Sequence, residues 1–228
     1  MKINKTQLMG LSPNNKLLKE YKKQLNNNLS QMQFETAMGL VLGDVYLRNR
    51  YNTNYCMQFE WKSKDYMDHM NNMFNEYIMS PPHKKVRMNK NNNEVMTWGA
   101  QTMSHEAFNF LGNLFYKNKM KTMPKNLVSD YVTARNLAYW FMDDGSKYDN
   151  NKNNTTNFAL CLNTQGFTFE EMNHLAKELN LKFDLKCSVI NNKNKPVIKM
   201  DSSSYLTFKM LMDKYMMPSM KYKLLFKS

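Results

Sequence analysis

Two stretches decide the fold: Ala37–Val45, AMGLVLGDV, and Leu137–Gly145, LAYWFMDDG. Each is an apolar run closed by an acid, and Asp44 and Asp144 stand 100 residues apart. Both runs read as helices whose last turn carries a carboxylate. Acids are favoured in the first turn of a helix and disfavoured in the last, because the unpaired C-terminal carbonyls carry partial negative charge. Carboxylates that merely face water would therefore have to occupy the unfavourable end twice. If the two helices pack side by side, Gly39 and Gly43, one turn apart, let the backbones approach closely. The helix ends then bring Asp44 and Asp144 together. Two carboxylates at two negative helix ends repel each other at a cost of about 1 kcal/mol or more, which a shared divalent cation removes.

Outward from these helices, the order of elements occurs twice. After the first helix, which begins near Gln33, the alternating stretch Tyr55–Lys62 reads as a strand. The segment Lys64–Ile78 reads as a helix with Met67, Met70, Met73 and Phe74 in period, two strands flank the loop Asn89–Asn93, and His105–Tyr116 is amphipathic. The second half repeats this with helix Ala134–Met142, strand Phe158–Asn163, helix Thr168–Leu179, strands around Phe183–Ile190 and Pro196–Met200, and helix Tyr205–Tyr215. Its loop Asn191–Lys195 mirrors Asn89–Asn93. The reading divides the chain into an arm, residues 1–33, holding a short helix at Leu17–Leu25; a first half, 34–125; and a second half, 126–228.

At 228 residues the chain can form one large domain or two small ones. Its 32 Lys and Arg against 19 Asp and Glu leave a net charge of +13, which draws it to polyanions. The longest apolar run, Ala37–Gly43, is far too short to cross a bilayer, and the opening MKINKTQLMG has no apolar signal core, so membrane and secreted readings are poor. Cys56, Cys161 and Cys187 form no CxxC pair and the four histidines are scattered, which excludes a zinc or disulfide framework. Ligands for a metal would then be carboxylates, carbonyls and water, a set suited to Mg²⁺. The 22 Met beside four Ile, together with 32 Asn, point to an A+T-rich gene translated with a mitochondrial code that reads an Ile codon as Met. The expectation is a mitochondrial protein, encoded and translated inside the organelle.

The paired segments resemble the LAGLIDADG motifs of homing endonucleases. Aligned on the motif's eighth position, the first copy keeps Gly39, Leu40 and Asp44, and the second keeps Leu137, Ala138, Asp144 and Gly145. The surrounding text (CMQFEWK, SPPHKK, TWGAQT, AYWFMDDG, LNTQ, FTFEE, NKNKP) is similar to intron-encoded mitochondrial members of that family over nearly the whole chain. The resemblance implies an α+β fold: two pseudo-symmetric αββαββα halves forming a saddle-shaped monomer over double-stranded DNA. It implies that Asp44 and Asp144 hold Mg²⁺, with the backbone carbonyls of Gly43 and Asp143 assisting. Mn²⁺ would substitute, and Ca²⁺ would bind without supporting cleavage. It also places a lysine near each scissile phosphate: Lys121, 77 residues after Asp44, and Lys223, 79 after Asp144, with Lys119 and Lys221 as neighbouring alternatives. Two positions depart from the family pattern, Tyr139 where a small residue is usual and Asp143 where Ala or Gly is usual. The implied activity is metal-dependent hydrolysis of both strands across the minor groove of a long asymmetric site, leaving 3′ overhangs and promoting intron mobility.

DNA reading is expected on polar strand positions and the loops that extend them. In the first half these are Arg48, Asn49, Arg50, Gln58, Glu60, Lys62, Lys84, Lys85, Arg87, Asn89, Lys90 and Asn91. In the second they are Lys147, Tyr148, Asp149, Asn150, Asn151, Lys152, Lys186, Asn191, Asn192, Lys193 and Lys195. Alternation along the first strand sends Cys56, Gln58 and Glu60 to one face and Met57, Phe59 and Trp61 to the core. Arg and Lys suit guanine edges, Asn and Gln adenine, and Glu60 the amino group of cytosine. Trp61, Trp98, Trp140 and Phe141 read as core. The competing function is a maturase, an RNA-binding splicing factor on the same fold. Both acids and both lysines are present, which favours cleavage.

Overall fold

The computed structural model describes residues 3–8, 10–12, 14–50, 52–149 and 158–224, with only the backbone of 148, 149 and 158. Candidates Asn150, Asn151 and Lys152 lie outside the described residues, as do the side chains of Tyr148 and Asp149.

Helix α1 (Lys16–Gln24) is amphipathic, and the Asn15 side chain accepts from the Leu17 N–H at its start. It buries Leu18 and Tyr21 in a small cluster with Leu8. The motif helix α2 (Gln31–Leu42) leads into β1 (Tyr46–Arg48) and β2 (Cys56–Trp61), then α3 (Lys64–Met73), β3 (His83–Met88), β4 (Glu94–Gln101) and α4 (Asn109–Phe115). A small ribbon, β5 (Tyr116–Lys117) with β6 (Met120–Lys121), and the short α5 (Leu127–Tyr131) follow. The second motif helix α6 (Ala134–Asp144) opens the repeat: β7 (Gly145–Asp149), β8 (Phe158–Leu162), α7 (Phe169–Phe183), β9 (Cys187–Asn192), β10 (Lys195–Met200) and α8 (Tyr205–Met212). Both halves therefore run αββαββα. Each has a four-stranded antiparallel sheet, in order β1-β2-β4-β3 and β7-β8-β10-β9, so the topology is duplicated along with the sequence.

Three features were not legible in the pattern. The strands that follow the motif helices, β1 and β7, are short and carry little alternation. They form because β2 and β8 offer partners, in registers such as Arg48↔Cys56 and Ser146↔Cys161. The β5–β6 ribbon turns on Asn118 and Lys119, both at positive φ (51° and 65°), which suits a tight two-residue hairpin. The Asn/Lys loops also differ from each other: the second closes tightly on Lys193 and Asn194, again at positive φ, because β9 and β10 remain paired to Asn192↔Lys195.

Packing partitions the chain differently from the repeat. One compact unit joins Met1–Phe34 to Asp44–Leu114, and the other joins Glu35–Gly43 to Phe115–Ser228. In the first, the alternate β2 residues Met57, Phe59 and Trp61 are buried, as are Tyr66, Met67, Met70 and Phe74. Phe59 stacks on Trp61 at 5.5 Å between ring centroids and on Phe74 at 6.1 Å. In the second, Trp140, Phe141, Leu160, Leu162, Leu175, Leu179, Ile198 and Met200 are buried, and Phe141 meets Phe208 edge-on at 5.3 Å. Met57, Met67 and Met70 are wholly enclosed, so the methionine excess fills core positions, as an unbranched, adaptable side chain can. Among the described residues no helix is long and apolar enough to cross a membrane.

Candidate active site and nucleic-acid interface

In the second unit, residues 35–43 of the chain lie against α6 with almost no space between backbones. A Cβ at Gly39 would stand 2.4 Å from the Asn136 carbonyl oxygen and 2.9 Å from Tyr139 Cβ. A Cβ at Gly43 would stand 2.6 Å from Asp143 Cβ and 2.7 Å from its Oδ2. Both glycines are therefore required for close approach, and Tyr139 is accommodated because Gly39 opposite it has no side chain. The other ends of the helices are tied by polar groups at equivalent positions. Arg135 Nε donates to Glu35 Oε2 at 3.1 Å and Asn136 Nδ2 to the Glu35 carbonyl at 2.8 Å. Arg135 also covers the Tyr215 ring, 4.7 Å from its centroid.

At the C-terminal ends of these helices stand two lysines. Lys121, at the end of β6, donates to the Gly43 carbonyl at 3.4 Å. Lys223, at the end of the 3₁₀ helix Pro218–Lys223, donates to the carbonyls of Met142 at 2.5 Å and Asp143 at 3.2 Å. Cations at the negative ends of two helices are electrostatically well placed. The neighbouring lysines are arranged otherwise: Lys119 occupies the β5–β6 turn, and Lys221 pairs with Asp213 at 3.0 Å. Asp44 follows Gly43 in the chain and is exposed, while Asp144 ends α6 and its carbonyl accepts from Asn163 Nδ2 at 2.7 Å. Among the described residues there is no cluster of three or more His, Cys, Asp or Glu side chains suited to a metal. Each helix end by itself offers oxygen donors only, a carboxylate and main-chain carbonyls, a set whose chemistry fits a hard divalent ion.

The segment after Lys121 is held by α7. Glu171 Oε1 accepts the Met123 N–H at 2.9 Å, while its Oε2 accepts from the N–H and hydroxyl of Thr168 at 2.8 and 2.9 Å, closing a capping box. Burial works against this carboxylate, but the hydrogen bonds outweigh it and hold Glu171 below the usual glutamate range. Such a group stabilises the fold above the ordinary pKa of about 4.3 and loses that contribution as pH falls through its lowered value. The expected result is that Glu171→Ala is less stable than wild type at neutral pH and that the gap narrows as the medium is acidified below about pH 4. Urea midpoints measured along a pH series check this, and a constant gap contradicts it.

A groove of about 1100 Å³ crosses the first sheet. Asp44, Tyr46, Arg48, Cys56, Gln58, Glu60, His83, Lys85 and Gln101 line it, and Leu11, Asn14, Leu18 and Lys22 contribute from α1 and the segment before it. The predicted face of β2 is therefore the groove face. Strand register divides the other candidates. Lys85 and Arg87 lie on this face, whereas Lys84 pairs with Trp98, which pairs with Trp61, and so belongs to the opposite face. Glu60 is bonded to Lys85 at 2.9 Å, Arg87 at 3.4 Å and the Thr97 hydroxyl at 3.0 Å. The Lys85 ammonium, assisted by Thr97 and Arg87, holds its carboxyl below the usual range. Three candidate asparagines organise their own loops: Asn49 accepts from Thr53 N–H, Asn89 from Asn91 and Asn93, and Asn191 from Asn194. Arg50, Lys62, Lys90, Asn91, Lys147, Lys186, Asn192, Lys193 and Lys195 are exposed.

Sequence reasoning passed over several polar residues. Lys22 and Asn14 belong to a segment read only as an arm, and Tyr46 to a strand too short to recognise. Gln101 lies opposite Gln58 and bonds to it at 3.2 Å. Lys199 shares one face of the second sheet with Ser146, Cys161 and Ser188, as the register shows. Its signal was a single charge within the otherwise apolar run Val197–Met200.

Twin αββαββα halves, each led by a motif helix with an Asp at or just beyond its C-terminal end, define a class of protein: residues 34–208 match the LAGLIDADG DNA endonuclease family, and the chain belongs to it. It is 50% identical over 225 residues to probable intron-encoded endonuclease 1 of Wickerhamomyces canadensis, covering 98% of this chain and 96% of that one. The solved structure of the homing endonuclease I-WcaI bound to its DNA recognition sequence matches with a TM-score of 0.94 at 48% identity, over 99% of this chain and 100% of that chain. Similarity extends, at 28% identity over 222 residues, to the cytochrome b mRNA maturase bI2 of Saccharomyces cerevisiae, of which it covers 50%.

Proposed function

We propose that this chain is a monomeric, site-specific homing endonuclease that hydrolyses both strands of double-stranded DNA and so promotes intron mobility. The observation that carries the reading is the pair of lysine ammonium groups, Lys121 and Lys223, set on the carbonyl ends of the helices that lead to Asp44 and Asp144. Asp44 and Asp144, with the carbonyls of Gly43 and Asp143, would hold divalent cations, and the space left by the absent Gly43 side chain admits the Asp143 side chain. Bound Mg²⁺ would neutralise charge on the scissile phosphate and acidify water. Mn²⁺ would serve in its place, and Ca²⁺ would bind without cleavage.

The protein's own groups do the rest. The Lys121 and Lys223 ammonium groups offer N–H donors to phosphate oxygens where charge develops, each serving one strand. The groove lysines and arginines, Lys22, Arg48, Arg50 and Lys85, hold the phosphate backbone, and Gln58 and Gln101 offer amides suited to adenine edges. The methionine-for-isoleucine bias supports a mitochondrial gene and product. The maturase similarity supports a second reading, RNA-assisted splicing, but both acids and both lysines favour hydrolysis.

The test is incubation with supercoiled plasmid carrying the intronless insertion site. Linear product with staggered 3′ ends is expected in Mg²⁺ and none in chelator. Tight binding without linear product in either Mg²⁺ or Mn²⁺ would overturn the reading and leave the splicing role.

A further inference from the structure

We propose that Glu171 and Tyr205 are positioning residues, each setting one of the two lysines, so that the two strand cleavages can be separated by side chains remote from the motif acids. The inference rests on the endonuclease reading above. Lys121 ends a two-residue strand whose hairpin turn is short and exposed, so the ribbon alone fixes its side chain weakly. Two groups, one from the first turn of α7 and one from the turn before it, reach this segment. Glu171 Oε1 holds the Met123 N–H at 2.9 Å, two residues beyond Lys121, and the Phe167 ring lies beneath the ammonium, 5.5 Å from centroid to Nζ. A cation on an aromatic face gains electrostatic energy, which favours this placement of the ammonium.

Lys223 is held by a different element. The Tyr205 hydroxyl, at the start of α8, donates to the carbonyl of Leu224, the next residue, at 2.7 Å. Leu224 itself is 1% exposed. The tethers share no residue: Glu171 and Phe167 act on the lysine at the Gly43 carbonyl, Tyr205 on the lysine at the Met142 and Asp143 carbonyls. Reactions of this kind depend on placement, and a misplacement of about 1 Å can cost about 100-fold in rate.

The experiment follows each strand separately, using DNA labelled on both strands and supercoiled plasmid in Mg²⁺. Glu171→Ala is expected to slow one strand by about 10- to 100-fold with the other within about two-fold of wild type, so that nicked circle accumulates. Glu171→Gln, which keeps an oxygen for the Met123 N–H, is expected to restore the lost strand. Thr168→Ala removes the capping hydroxyl but leaves the Met123 bond, and is expected to keep the two strands equal even where it lowers stability. Tyr205→Phe is expected to slow the opposite strand. Equal slowing of both strands by Glu171→Ala and Tyr205→Phe, or no slowing, overturns the proposal. Wild-type protein that cuts neither strand fails the endonuclease reading first, and the two failures are therefore distinct.

Discussion

Asn in place of Asp44 or Asp144 is expected to reduce cleavage by at least about 10²- to 10³-fold while leaving DNA affinity unchanged or higher. The substitution is nearly isosteric and keeps Gly43 and Asp143 in contact, so the packing of the motif helices survives. What it removes is one negative charge from a helix end where negative potential is already present. On the proposed reading a divalent cation at that end would lose a carboxylate ligand, and Asn binds hard cations weakly by comparison. Affinity for the polyanion moves the other way, because Asp44 lines the groove on the first sheet, where it repels phosphate. Asp143→Asn provides the comparison: its carbonyl, already bonded to Lys223, is untouched, so a smaller effect is expected. Plasmid linearisation in Mg²⁺ gives the rates, and gel shifts in Ca²⁺ give the affinities. Wild-type rates in either Asp44→Asn or Asp144→Asn would contradict the assignment of these two acids.

The second large effect is on stability. Gly39→Ala is expected to destabilise the chain by about 1–3 kcal/mol, as overpacking of a filled interior does. Helix propensity alone predicts the reverse, a gain of about 1 kcal/mol for Ala over Gly within a helix. The sign is decided by the neighbour: the new methyl would stand 2.4 Å from a backbone oxygen of α6, and backbone cannot swing aside as a flexible side chain can. Gly166→Ala is the control, since a Cβ there meets nothing within 4 Å. Urea denaturation of the two variants checks the prediction. A Gly39→Ala protein as stable as wild type would show that the helices separate at little cost.

The repeat, the order of elements and the family were readable in the chain because burial imposes a period on it. Met57, Phe59 and Trp61 alternate because one face of β2 is covered, and Met67, Met70 and Phe74 recur because one face of α3 is. The twin acids were readable because charge at the wrong end of an apolar helix is costly, and its appearance at two points 100 residues apart is hard to produce by drift.

The choice among similar residues was settled by tertiary structure. Lys84 and Lys85 are adjacent and alike in sequence, yet strand register sends them to opposite faces. Asn49, Asn89 and Asn191 look like base readers, but each has backbone N–H groups of its own loop within reach of its acceptor. Lys121 and Lys223 stand on helix-end carbonyls while Lys119 sits in a turn and Lys221 pairs with Asp213, distinctions that spacing could not draw. The amino-acid sequence by itself determined which elements form and how often they repeat, since those follow from propensity and hydrophobic period within short windows. Only the tertiary structure decided which lysines reach the helix ends and which polar groups line the groove. Those properties depend on pairing register and on contacts between residues as far apart as Lys121 and Gly43, whose distance in space the local pattern does not encode.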